Sequence, residues 1–105
     1  MNSMPLTCDM TVFTPAEREE HIQNTSLLYK TAQNLRDVPN GYEFTFPYRT
    51  ELSKLAEFIS NERRCCAFLE FNVKVLPQLE PITLTLSGPE GTQEFLREEF
   101  SEAFA

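Results

Sequence analysis

Three stretches of this chain alternate apolar and polar residues with the period of a half-buried strand, and three others repeat apolar residues at helical spacing. From Tyr42 to Phe46, the rings of Tyr42, Phe44 and Phe46 fall on one side, with Glu43 and Thr45 on the other. Leu69, Phe71, Val73 and Val75 alternate with Glu70, Asn72 and Lys74. After a turn at Pro77 to Pro81, Ile82, Leu84 and Leu86 alternate with Thr83 and Thr85, which predicts an antiparallel hairpin. Leu52, Leu55, Ala56 and Ile59 predict a helix from Thr50, its expected cap, to about Arg64. Thr14-Pro15-Ala16-Glu17 predicts an earlier helix: a capping hydroxyl, proline at the first helical position, and a glutamate three residues after the cap. That helix is expected to reach about Arg36, with Asp37-Val38-Pro39-Asn40-Gly41 ending it. Ser87-Gly88-Pro89-Glu90 repeats the capping logic, and Phe95, Leu96 and Phe100 give the last helix its apolar stripe.

The predicted order is therefore α-β-α-β-β-α, preceded by an irregular arm from Met1 to Phe13. Strands with one apolar and one polar face predict an α+β fold, a two-layer sandwich in which a small three-stranded sheet carries its helices on one face. The pattern leaves open whether the first two strands, joined through a helix, run parallel or antiparallel. It also leaves the polar face and the strand edges available to a homodimer. No internal repeat or linker divides residues 1–105, so a single domain is expected.

Composition narrows the partners. The 105 residues are 41% hydrophobic and carry a formal charge of −7, with a pI near 4.6. Such a balance argues against nucleic acid and against anionic membrane surfaces, which both select basic patches. Met1 to Val12 has no basic segment followed by an apolar run, and no stretch has the length of a membrane span, so a cytoplasmic protein is expected. In that reducing compartment the three cysteines are expected to stay thiols, available for packing, metal binding or redox chemistry.

The candidate chemistry gathers where the second helix hands over to a strand, at Glu62-Arg63-Arg64-Cys65-Cys66. A trans peptide sets neighbouring Cα atoms about 3.8 Å apart, closer than disulfides prefer, so a Cys65–Cys66 bridge is disfavoured. Helical arithmetic places Leu55, Ile59, Glu62 and Cys66 on one stripe of the second helix. It places His21 in line with Leu28, Ala32 and Leu35 on the first. Both stripes must cover the same sheet face, which predicts that His21, Glu62 and Cys66 meet at one end of the layer. If the arm folds back there, Cys8 supplies a third sulfur. Three thiolates suit a soft ion, with His21 or Glu62 as the fourth ligand. Paired Cys-x-x-Cys spacing, the usual mark of a structural zinc site, is absent. The bland alternatives are two packed cysteines, a core imidazole, and a Glu62 bonded to backbone amides or to Arg18.

The string Glu62-Arg63-Arg64-Cys65-Cys66-Ala67-Phe68-Leu69-Glu70-Phe71, with Gly41-Tyr42-Glu43-Phe44 before it and Leu84-Thr85-Leu86-Ser87-Gly88-Pro89-Glu90-Gly91 after it, resembles a family of small uncharacterised bacterial proteins. Cys8-Asp9, Glu17-Arg18 and His21 match further features of that family, so the resemblance spans nearly the whole chain. It implies kinship and brings no activity with it. Ala67 departs from the pattern, which has proline there.

The expectation is a small cytoplasmic thiol protein that binds a soft metal or metalloid ion, zinc or another thiophilic ion, or senses oxidation. The residues are Cys65 and Cys66, with Cys8, His21 and Glu62. The alternative is a non-catalytic interaction module or homodimer with packed cysteines. A third reading makes Cys66 a nucleophile and His21 its base, which requires the two side chains within hydrogen-bond reach.

Overall fold

The Asn-Gly step at Asn40 and Gly41 is a hairpin turn and not a helix stop. In the computed structural model, which describes residues 6–100, helix α1 spans Pro15–Lys30 and is followed by strand β1 (Asn34–Val38) and strand β2 (Gly41–Phe46). The expected extension of α1 to Arg36 is thus overturned. Thr31 ends the helix, its amide and its hydroxyl both donating to the Leu28 carbonyl. Leu35, assigned above to the first helix, instead lies opposite Phe44 in the sheet. Pro39 and Asn40 make a two-residue connection in which Asn40 takes a left-handed φ of 55°. Gly41 follows because a Cβ there would run into the Leu86 carbonyl of the neighbouring strand.

Helix α2 (Leu52–Cys65), strands β3 (Glu70–Lys74) and β4 (Ile82–Ser87), and helix α3 (Thr92–Glu99) complete the chain. The fold is α+β, with four strands rather than the expected three, in the order β1-β2-β4-β3 and antiparallel throughout. The open question of the first two predicted strands resolves simply. β2 does not pair with β3, because β4 lies between them.

The capping box of α1 forms as read: Glu17 donates its amide to the Thr14 hydroxyl at 3.2 Å, and the Glu17 carboxylate accepts the Thr14 amide at 2.9 Å. The other two caps differ from expectation. Glu51 and not Thr50 precedes α2, without a side-chain cap, since Thr50 is held in a turn by its amide bond to the Pro47 carbonyl. Ser87 is consumed as the last residue of β4, opposite Gly41 and Glu70, so α3 starts later. Its cap is Gly91, at a φ of 97° that favours glycine.

Tyr42, Phe44 and Phe46 of β2 stand directly across from Leu86, Leu84 and Ile82 of β4, and all six are buried. They share one core with Leu28 and Tyr29 of α1, Leu55 and Phe58 of α2, and Leu96 of α3, together with Phe100. Glu43, Thr45, Thr83 and Thr85, on the opposite face, are only half-buried. On α2 the buried stripe is Leu55, Phe58, Glu62 and Cys65, while Leu52 and Ala56 are exposed.

The arm does fold back. Its first five residues, and residues 101–105, lie outside the described part of the chain. Met10–Val12 forms a short 3-10 turn capped by the Asp9 carboxylate, which accepts the Thr11 amide. The Asp9 amide donates to the Cys65 carbonyl at 2.8 Å, Phe13 is buried, and Arg64 donates to the Val12 carbonyl while lying over the Phe13 ring. These contacts bring Cys8 to the C-terminal end of α2.

Candidate thiol and carboxylate centre

At that end the chain turns on one carboxylate. Glu62 is 3% exposed, and its Oε1 accepts from His21 Nε2 at 3.0 Å and from the Cys65 thiol at 3.4 Å. His21, 4% exposed, lies between the rings of Phe13 and Phe58, with centroids 5.2 and 5.9 Å away. Cys65 Sγ is 3.9 Å from Cys66 Sγ. Cys66 is linked to Cys8 as a disulfide across 58 residues of sequence.

That link corrects the expectation of three separate thiols. The arm could not be placed from its residue pattern, and its return over α2 is what brings Cys8 onto Cys66. Cys65 and Cys66 themselves do not bridge, as their adjacency predicts.

Four of the five predicted site residues converge. One ligand atom from each of Cys8, Glu62, Cys65 and Cys66 lies within 4.8 Å of all the others. The fifth, His21, stands behind Glu62 and holds it. Its ring nitrogen is bonded to that carboxylate, and the Cys66 sulfur is held in the link to Cys8, so Cys66 is not a free nucleophile beside a His21 base. Arg18, named above as a partner for Glu62, is exposed on the first turns of α1.

The surroundings are polar without being satisfied. Glu62 Oε2, His21 Nδ1 and the Tyr29 hydroxyl are buried and have no hydrogen-bond partner among the described residues. An unpartnered buried carboxylate oxygen is costly unless something binds it. Burial, and after it the charge of Glu62, pushes the Cys65 thiol up to about 12 and the Tyr29 phenol well above its ordinary value. Glu99, whose carboxyl is raised by burial and then by repulsion from Glu62, feels the same charge from α3. Tyr29 and Glu99 are participants that reading the sequence missed. A Tyr eight residues after His21 offers no spacing signal, and Glu99 is one of sixteen acidic residues.

No family model, no curated protein and no solved structure matches this chain. Among the described residues no helix is long and apolar enough to cross a membrane.

Proposed function

We propose that this chain is a small thiol protein that binds a soft metal or metalloid ion through Cys8, Cys65, Cys66 and Glu62, with His21 orienting the carboxylate. The observation that carries this reading is the mutual 4.8 Å limit on the four donor atoms. Sulfurs bound to zinc at about 2.3 Å stand about 3.8 Å apart along a tetrahedral edge. The 3.9 Å between Cys65 and Cys66, and the 3.4 Å from Cys65 to Glu62, are spacings of that kind. Ligating carboxylates are themselves hydrogen-bonded by outer groups, and His21 is such a group for Glu62. The Cys8–Cys66 link withholds two of the sulfurs, so the ion-binding form is the reduced one. We place the protein in the reducing cytoplasm, where a dithiol reductant supplies the two electrons and two protons that open the bond.

The same link favours a second reading, redox sensing. A disulfide-class oxidant would take two electrons from Cys8 and Cys66, releasing two thiols of its own and closing the site. The resemblance to small bacterial proteins adds kinship to either reading and selects neither.

Titrating the reduced protein with zinc and with arsenite, and repeating both with Cys66→Ser, tests the proposal. One equivalent of ion should bind the native chain, with at least about a tenfold loss in the variant. Equal uptake by the two proteins would leave the cysteines as packing residues.

A further inference from the structure

The sheet ends in two unlike edges. β1 at one side carries Arg36, whose guanidinium is committed to Glu43 through bonds of 3.2 and 3.1 Å, and the strand runs into Pro39. Pairing β1 with a copy of itself about its central residue would set Arg36 against Arg36 and Leu35 against Asp37. Charges and proline of this kind are how edges are kept from pairing.

β3, at the other side, has no charge at its centre and no proline within it. Phe71 and Val73 stand opposite Leu86 and Leu84, so they belong to the apolar face of the sheet, yet Val73 is exposed and Phe71 only partly covered. Val75, Leu76 and Leu79, which follow, are exposed as well. The strand's two charges sit at its two ends, Glu70 and Lys74, with Asn72 midway. Lys74 is the one Lys or Arg between Cys65 and Leu96.

We infer that β3 is a self-complementary edge through which two copies of this chain pair antiparallel about Asn72. In that register each Glu70 faces the partner's Lys74, each Phe71 faces the partner's Val73, and Asn72 meets its own copy on the twofold axis. Two opposite-charge pairs and two aromatic-to-branched pairs result, the combinations that stabilise neighbouring strands. The two four-stranded sheets become one of eight strands, and the backbone groups of both edges are satisfied. The contact is isologous, so it closes at two copies. It lies on a strand and not at the thiol centre, and it stands whether or not that centre binds an ion.

Charge exchange tests the register. The full chain, measured by light scattering across a concentration series under reducing conditions, should be a dimer. Lys74→Glu places Glu against Glu70, and Glu70→Lys places Lys against Lys74. Each single variant should dissociate at least about tenfold more readily. An equimolar mixture of the two single variants restores both pairs and should return to dimer, as should the doubly exchanged chain Glu70→Lys with Lys74→Glu. Both positions are exposed, and recovery in the mixture shows that each variant is folded. A native chain that scatters as a monomer throughout, or a dimer indifferent to Lys74→Glu, would overturn the inference. Single variants that dissociate and stay apart when mixed would overturn it too.

Discussion

At the middle of the sheet Phe44, Phe46, Leu84 and Leu86 share a core with Phe58 and Leu96, and no side-chain polar atom lies among those six. One and two turns further along α2 from Phe58, Glu62 and Cys65 are buried as deeply, with buried His21 and Cys66 and half-buried Cys8 around them. Tyr29 joins the two regions. Its ring packs 4.6 Å from Phe44 and 5.6 Å from Phe58, while its hydroxyl has no hydrogen-bond partner among the described residues. Equal burial with opposite polarity separates two tasks. The apolar middle lowers the free energy of the fold through area removed from water, whereas the polar end raises it by desolvating groups that stay unsatisfied. A region of the second kind is sustained by the first.

The sharpest way to break that division is to truncate each region and compare. Phe44→Ala opens a cavity in the middle and should cost about 3 to 5 kcal/mol in urea denaturation, with the donor atoms of the thiol centre left in place. Within the polar end, two substitutions should differ in size of consequence. His21→Ala removes the partner of a buried carboxylate and should cost about 3 kcal/mol. Glu62→Gln keeps the size and an acceptor for His21 while removing the charge, and should change stability by about 1 kcal/mol or less. The same Glu62→Gln protein should lose at least about tenfold in zinc affinity. A Glu62→Gln variant as unstable as Phe44→Ala would make the carboxylate a structural element and erase the contrast.

The division also explains what could be read from the sequence. The strands β2, β3 and β4 were legible because one face of each carries apolar residues at every second position. β1 was not. Its sheet-facing positions are Leu35 and Asp37, opposite Phe44 and Tyr42, so one leucine is all the apolar signal it carries. An edge strand needs only one such contact, and Asn-Gly reads equally as helix stop or hairpin turn. Stripe arithmetic found His21, Glu62 and Cys66 because both helices must cover one sheet face. It puts Ile59 where Phe58 is buried and leaves Cys65, a candidate on other grounds, off the stripe, because Leu52, exposed in the structure, shifts the apolar pattern round the helix. The Cys8–Cys66 link was out of reach because it depends on the arm, whose placement rests on the Asp9 amide and on Arg64 rather than on any periodic pattern.

The polar end should also make stability depend on pH, and Cys65 is the group to follow. Burial, and then the charge of Glu62, raises this thiol from an ordinary 9.0 to about 12 in the folded chain. A raised value means that the unfolded chain loses its proton first. The stability associated with the protonated thiol is therefore complete below pH 9 and declines as pH rises toward 12. Tyr29, raised for the same reasons, adds a decline of its own above pH 10, so a single titration would mix the two. Comparing the native protein, its Cys8–Cys66 link kept intact, with Cys65→Ala removes that overlap, because Tyr29 is present in both. Urea denaturation at pH 8, 9.5 and 10.5 should show the native protein losing stability faster than the variant, with a difference in slope of up to about 1.4 kcal/mol per pH unit. Parallel slopes would mean that Cys65 meets solvent as an ordinary thiol and that the polar end is not sealed as the apolar middle is.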